Sequence, residues 1–402
     1  IYLVNMPFAF LTYPNLALST MKSQLHFAGL DAKVLNLNIS FAKRLGFRQY
    51  SNISFMKAID PRMSEWFFSE QAWGESFPPY EEDFLKLCIE NLRSTEKIRE
   101  NQSLILRIRK EIVPKWLRES LECLDLSGRS SVVAFSCSFF QTIPSLALAR
   151  LIKKSYPKVK IVFGGACFHG EMGEEIFSKT AWIDAVSTGE ADDIAVELFH
   201  ALSNDQEPEG IQGVLWRDKS GLIHKNKKEL PVSRKILEEL PVPDFDDFFA
   251  DADKNGLTRE PEWEKRAFLP FESARGCWKA KKEHCRFCGA TSNNLSFRVK
   301  SADKTLQTLK EYLTRYPLRR FHATDPNFSP GFFRTLLPRL KPELGKQGIS
   351  LFYEVTSGLD RKKVKALADA GIIVVQAGIE SMNTRLLKLM NKSVSALQNV
   401  FF

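Results

Sequence analysis

No apolar run in this 402-residue chain approaches the roughly 20 residues that span a bilayer, and its opening segment lacks a secretion signal's basic flank and cleavage site. The cytoplasm is the expected compartment. Cysteine is sparse and odd in number: four of the seven (Cys88, Cys123, Cys137, Cys167) are scattered, which excludes a secreted disulfide framework and leaves reduced thiols. Internal repeats and low-complexity tracts are absent, as is any constellation of His and Asp that spells out acid–base catalysis. What is there, 44% hydrophobic and 26% charged residues, describes a globular protein with enough chain for two or three cores, and two domains are expected.

The formal charge is +9, but the excess is dispersed over Arg107–Lys110, Lys153–Lys154, Lys225–Lys228 and Lys279–Lys282. Dispersed cations read as solvated faces rather than a nucleic-acid surface. A patch for an acidic partner such as a peptide leader is the competing reading. The chain opens on Ile1 and stops at Phe402 in what reads as a starting helix, so terminal segments, including a C-terminal part of the last domain, are expected beyond it.

Short apolar runs alternate with longer amphipathic ones. Strands are expected at Ile1–Asn5, Lys33–Asn38, Val132–Ser136, Lys160–Gly164 and Asp184–Thr188, with helices near Leu16–Ala28, Ile143–Tyr156, Glu171–Ser178 and Ile194–Leu202. This rhythm predicts a doubly wound, Rossmann-like α/β domain over residues 1–210, interrupted by a mostly helical insertion at about 42–126. A segment that long is expected to pack over one domain or cap a cleft. Residues 211–260 read as a hairpin (Gly213–Lys225) followed by an interdomain linker (Glu239–Ala250). From 261 to 402 a second α/β series predicts strands near Phe268–Phe271, Arg319–Ala323, Ser350–Glu354 and Ile373–Ala377. Helices are expected near Lys304–Arg315, Phe332–Leu340, Asp360–Ala370 and Thr384–Met390, which together make a partial (β/α) barrel.

Glu272–Gly289, ESARGCWKAKKEHCRFCG, places Cys277, Cys285 and Cys288 directly after the first strand of that second series, on the catalytic face of a barrel. A C-x₂-C pair points two thiolates at one centre from a single turn, and a third cysteine from the loop's other end completes a three-thiolate set for a [4Fe–4S] cluster with one open iron. Lys279, Lys281 and Lys282 would ease the accumulation of negative charge. The alternative is a structural zinc ion held by these cysteines and His284, which with the basic surface would make a zinc-stabilised nucleic-acid-binding protein.

Strand ends elsewhere carry small or polar residues. Ser136–Gln141 (SCSFFQ), Phe163–Ala166 (FGGA) and Ser187–Asp192 (STGEAD) follow three parallel strands, and small residues there let backbone approach a large ligand lying across the edge. In the second series Asp325, Asn327, Glu354, Gln376 and Glu380 stand at strand ends, where carboxylates suit hydroxyl or ammonium groups, although each alone is as readily a helix cap.

GCW, HCRFCG and Phe297–Ser301 (FRVKS), with ATDPNF (323–328), LLPR (336–339), LFYEV (351–355), VQAGIES (375–381) and ALQNV (396–400), resemble the cobalamin-dependent radical S-adenosylmethionine enzymes, in the branch that matures ribosomally made peptides. The likeness extends to Met6–Ala9, Ser136–Arg150, Phe163–Gly173 and Ser187–Asp192, and the spacing is the long C-x₇-C-x₂-C form. It implies three cofactors: a [4Fe–4S] cluster on the three cysteines, S-adenosylmethionine and methylcobalamin. It implies S-adenosylmethionine contacts at Phe287, Asp325, Glu354, Gln376 and Glu380. Cobalamin would meet Ser136, Ser138, Gln141, Gly164, Gly165, Ala166, Gly189 and Glu190, with Phe8 or Tyr13 packing beside the corrin. Gln24–Gly29 (QLHFAG) superficially echoes a cobalt-ligating motif, but it lies on a helix, so His26 is expected to be a helix-face residue and cobalamin to bind without histidine. The implied reaction is C-methylation of a precursor peptide at an unactivated carbon through a 5′-deoxyadenosyl radical, with electrons from a flavodoxin or ferredoxin. Rearrangement, cyclisation or a small-molecule substrate would use the same cofactors.

Overall fold

The computed structural model describes residues 1–54, 62–74, 84, 102–126, 131–280, 283–289 and 296–402. Cys88, Lys281, Lys282 and much of the expected insertion therefore lie outside the described residues. The chain divides into two units: residues 1–11, 17–230 and 243–264 form the first, and residues 12–16, 231–242 and 265–402 the second.

The first unit is a seven-stranded sheet. Its strands are β1 (Tyr2–Val4), β2 (Lys33–Leu35), β3 (Val132–Ser136), β4 (Lys160–Gly164), β5 (Ala185–Ser187), β6 (Val214–Arg217) and β7 (Ile223–Lys225), in the order β2-β1-β3-β4-β5-β6-β7. The pairs from β2 through β5 are parallel, whereas β6 and β7 add antiparallel. Side chains alternate across the pleat. Leu3, Val34, Ala134 and Val162 meet Leu18 and Leu25 of the helix Leu16–Phe27 and Leu198, Phe199 and Leu202 of the helix Ala195–Ser203. Phe135 stacks on Phe163 at 4.9 Å, and Phe163 in turn meets Phe168.

Three details differ from the sequence reading. The second strand stops at Leu35, because Asn36 turns the chain into the helix Leu37–Leu45, whose Asn38 side chain accepts from Asn5. The hairpin extends the first sheet instead of standing between domains. Most of the expected linker also belongs to the first unit, where its acidic run forms the helix Asp246–Asn255. Asp247 accepts from Val34 N at 2.8 Å and Asp251 from Asn36 N at 3.0 Å, so these acids satisfy amides along the edge strand β2. Lys22 closes the arrangement on Asp244 and Asp247 at 3.1 and 2.8 Å.

The described part of the insertion is helical (Phe47–Ser54, Arg62–Trp73, Val113–Glu122) and packs on this unit. Its anchor is chemical as well as apolar. Glu65 accepts from Thr142 N (3.2 Å) and Ile143 N (2.6 Å), two of the free amides that open the helix Thr142–Ser155.

The second unit carries β8 (Leu269–Phe271), a two-stranded ladder of β9 (Ala274–Arg275) and β10 (Arg298–Val299), then β11 (Arg320–Ala323), β12 (Ser350–Val355) and β13 (Ile372–Ala377). Strands β13-β12-β11-β8 form one parallel sheet in that order, joined through the helices Ala302–Arg315, Leu337–Leu344 and Arg361–Asp369. The helix expected over Phe332–Leu340 breaks into Phe332–Thr335 and Leu337–Leu344. Pro338 has no amide hydrogen to continue the first segment and suits the opening turn of the second. Leu351, Tyr353 and Val355 of β12 are buried, while Phe352 and Glu354 on the other face are half-buried.

Candidate functional site

The cysteine loop leaves the end of β8 and returns through β10. Arg275 and Ala274 pair with Arg298 and Val299, and Lys300 N donates to Ser273 O at 2.9 Å, so residues 276–297 are closed at their base. Beneath that base lies a fully buried polar cluster. Ser273 donates to Asp325 from its amide (2.8 Å) and its hydroxyl (2.5 Å), and the same hydroxyl lies 2.9 Å from the Tyr353 hydroxyl. Burial pushes the Asp325 carboxyl up to about 7 against the pull of these donors and the Ala274 amide. Glu272 goes the other way: burial alone would raise it, yet Arg275 (2.7 Å) and Lys300 (3.1 Å) hold it at about 2.

Within the loop, Cys277 and Cys285 are half-buried and Cys288 is exposed, and all three are free thiols. Cys288 N donates to Cys285 O at 3.1 Å, which folds the C-x₂-C pair into one turn. The following turn of the barrel pins this segment: Arg286 N bonds Met390 O (3.1 Å) and the Asn391 amide bonds His284 O (2.9 Å). Lys392 sits 5.6 Å over the half-exposed Phe287 ring and pairs with Glu380 at 3.0 Å. Among the described residues no three His, Cys, Asp or Glu side chains gather where one metal ion could be held. His284 keeps a buried Nε2 without a hydrogen-bond partner. Three unpaired thiols on one closed loop, two of them in a single turn, are a donor set that fits an iron–sulfur cluster.

Of the residues expected to meet S-adenosylmethionine, the structure brings Glu354 and Gln376 into register across β12 and β13, and places Glu380, Lys392 and Phe287 together at the end of β13. Burial and the neighbouring Glu380 both raise the Glu354 carboxyl. Asp325 stands apart from this group. It has no exposed surface and both its oxygens are taken by Ser273, so it holds the loop's base instead of facing a ligand.

At the carboxyl edge of the first sheet the expected cobalamin residues also divide. Ser138 is exposed and Ser136 half-buried, Gly165 and Ala166 are exposed, and the Phe139 ring is 79% exposed. Ser187 Oγ is buried without a hydrogen-bond partner, and His169 Nε2, likewise without a hydrogen bond, stands 4.0 Å from Glu229 Oε1. Exposed small residues, an exposed ring and an unpartnered hydroxyl fit a large ligand with both apolar and polar surface. Gln141 does not serve that edge: it is buried, donates to Asn5 Oδ1 (3.0 Å) and Met6 O (2.7 Å), and accepts from Ser138. Phe8 is 4% exposed, enclosed by Phe41, Tyr50, Phe67 and Phe68. Tyr13 belongs to the second unit, stacked 4.5 Å from Phe268, with burial pushing its hydroxyl up to about 12.

The glycines have internal reasons. A Cβ on Gly165, at φ +92°, would lie 2.6 Å from Cys137 O, and one on Gly189 would lie 2.5 Å from Glu229 Cγ; Gly164 has no such constraint. Glu190 is half-buried beside them. His26 bonds Ala32 O at 2.7 Å in the last turn of its helix, as a helix-face residue does. Phe139 and His169 lie within Ser136–Gln141 and Phe163–Gly173, and it is packing, which local sequence does not show, that exposes the one ring and buries the other's Nε2.

Comparison with known proteins places these units. Residues 271–399 match the radical SAM superfamily. An uncharacterized methyltransferase of Pyrococcus horikoshii is 24% identical over 277 residues, 67% of this chain and 56% of that protein. The cobalamin-dependent radical SAM methyltransferase TokK of Streptomyces tokunonensis is 27% identical over 203 residues, 49% of this chain and 27% of that one. The chain thus spans about half or less of the curated relatives it matches. The solved structure of the cobalamin-dependent S-adenosylmethionine radical enzyme OxsB, with aqua-cobalamin and S-adenosylmethionine bound, superposes with a TM-score of 0.63 at 16% identity, covering 99% of this chain and 46% of that one. The radical S-adenosylmethionine methyltransferase TsrM from Kitasatospora setae, with cobalamin and a [4Fe–4S] cluster, gives 0.60 at 14%, covering 100% and 65%. The second unit therefore carries a radical SAM domain over residues 271–399, and the chain shares its fold with cobalamin-dependent radical SAM enzymes.

Proposed function

We propose that this chain is the cofactor-binding portion of a cobalamin-dependent radical SAM methyltransferase that methylates an unactivated carbon of a ribosomally made precursor peptide. The observation that carries the reading is the closed three-cysteine loop at the carboxyl edge of a radical SAM domain, in one chain with a sheet whose parallel strands β3 and β4 are followed by the exposed residues Ser138, Phe139, Gly165 and Ala166. TokK and TsrM, named as methyltransferases, support the reaction class. The motif series from FRVKS to ALQNV supports the peptide substrate.

In this reading Cys277, Cys285 and Cys288 hold a [4Fe–4S] cluster, and the face bearing Glu354, Gln376 and Glu380 binds S-adenosylmethionine, with Phe287 beside it. Cobalamin lies against Ser136, Ser138, Gly164–Ala166, Gly189 and Glu190. Bound together, the cofactors supply one-electron cleavage of S-adenosylmethionine and methyl transfer. The protein's own part is placement: the β9–β10 ladder and its buried base keep the thiols on one short loop, and Glu354 and Glu380 offer acceptors to ammonium or hydroxyl groups. The proposed electron donor is a flavodoxin or ferredoxin, and the proposed compartment the cytoplasm. Among the described residues no helix is long and apolar enough to cross a membrane.

The test is anaerobic reconstitution with iron, sulfide and cobalamin, followed by incubation with methyl-labelled S-adenosylmethionine, reductant and the precursor peptide encoded beside the gene. One labelled methyl on the peptide is expected. An unlabelled peptide, or one lighter by two hydrogens, would move the reading to other radical chemistry. Replacing the three cysteines with Ala should abolish bound iron and the brown colour; iron retained at parental level would remove the cluster from this loop.

A further inference from the structure

A cavity of about 410 Å³ opens on the second unit, walled by Trp278, Phe333, Val355 and Leu359. It lies at the carboxyl ends of β11 and β12, where Asn327, Phe328, Thr356 and Gly358 meet the helices bearing Arg334 and Lys363. Val355 shares the buried face of β12 with Tyr353, whereas Glu354, in register with Gln376, points to the opposite face. Val355 therefore walls the cavity from the face of β12 opposite Glu354, and none of the expected S-adenosylmethionine contacts lines it.

Its polar groups are few, and one of them is buried without a partner. The Asn327 Oδ1 is buried, lines the cavity and has no hydrogen-bond donor. Among the described residues no carboxylate pairs with the Arg334 guanidinium at the cavity wall. Lys363, also on the wall, is shared with the exposed Asp360 at 3.2 Å. The Trp278 indole N–H is committed to Phe328 O at 3.2 Å, which fixes its ring as a wall one residue from Cys277. An occupant that satisfies this lining brings an N–H for Asn327, a carboxylate for Arg334 and Lys363, and an apolar side chain for the remaining surface.

We infer that this cavity binds an apolar α-amino acid unit with a free carboxylate, either as a free amino acid or as the last residue of a peptide. The inference stands independently of the cofactor reading, since the groups it assigns to the ligand, Asn327, Arg334 and Lys363, are none of the proposed cofactor contacts. The probe is N-acetyl-L-phenylalanine, titrated by calorimetry and saturation-transfer NMR into the chain without added cofactor, beside L-phenylalanine and N-acetyl-L-phenylalaninamide. At least one of the two acids should bind, with the amide about tenfold weaker, equal to ~1.4 kcal/mol. Preference for the acetylated acid assigns the site to a peptide end; preference for free phenylalanine assigns it to an amino acid. Arg334 is exposed, so Arg334→Met leaves the fold intact and should weaken the acid about tenfold while leaving the amide unchanged. Asn327→Leu should weaken both. Failure of both acids to bind, equal binding of acid and amide, or an Arg334→Met variant with parental affinity would overturn the assignment.

Discussion

Asp325 offers the sharpest test of how the cysteine loop is held. Its carboxyl is fully buried and displaced from about 3.8 to about 7, because burial disfavours the charge more than Ser273 and Ala274 stabilise it. Each pH unit of such displacement is worth about 1.4 kcal/mol. Ionised Asp325 therefore costs the folded state ~4 kcal/mol relative to the unfolded chain, where the same group ionises freely. Because the folded pKa is raised, the associated stability is fully present below about pH 4 and is lost as pH rises to about 7. Asp325→Asn keeps an acceptor for Ser273 N and presents an amide to the Ser273 hydroxyl, but cannot ionise. Asp325→Ala leaves the Ser273 amide and hydroxyl without their acceptor, at roughly 1–3 kcal/mol for each buried group.

Urea unfolding at pH 5.0, 6.5 and 8.5 separates these variants. Parent minus Asn isolates Asp325 from every other titrating group, since the rest are common to both proteins. The difference should move in favour of Asn by ~2–4 kcal/mol between pH 5.0 and 8.5, while Ala is destabilised throughout. A flat difference, or an Asn variant as damaged as Ala, would refute the buried-acid account and with it the view that this group anchors the loop's base.

Gly165→Ala should destabilise by about 1–3 kcal/mol in thermal or urea unfolding, because the new Cβ meets Cys137 backbone, while Gly164→Ala, with nothing nearer than 3.7 Å, should be close to neutral. Glu65→Ala removes the acceptor for two helix-opening amides and should cost about 1–2 kcal/mol, with limited proteolysis of the insertion rising in step; unchanged protection would mean the insertion is held by apolar packing alone. His26→Ala should leave the spectrum and stoichiometry of added cobalamin unchanged, since its ring is bound to Ala32 O; loss of cobalamin would reinstate QLHFAG as a ligand motif.

Both α/β series were legible because their strands are short apolar runs with sharp polar or glycine ends. Val132–Ser136 and Lys160–Gly164 fall where periodicity puts them. The misplaced elements have a common physical cause. Asn36 and the acids from Asp244 to Asp251 read locally as strand and linker, but their partners lie some 200 residues away, in amides of the edge strand and a lysine of the first helix. Local composition cannot reveal a hydrogen bond to a distant strand.

The same limit governs the site. Reading every polar residue at a strand end as facing a ligand treats the carboxyl edge as one surface, whereas the pleat and the loops divide it. Glu354 and Gln376 share a face because parallel neighbours in register point the same way, while Tyr353, one residue earlier, points into the helix layer and bonds the Ser273 that Asp325 holds. Gln141 and Phe8 show the division in the first sheet: both stand on edge loops, yet one is consumed by Asn5 and Met6 and the other by the insertion's aromatic rings. The insertion thus accounts for the largest departure from the expected site. Its rings enclose Phe8 and its Glu65 caps the helix after Gln141, so among the described residues the exposed part of this edge is Ser138 and Phe139 with Gly165 and Ala166.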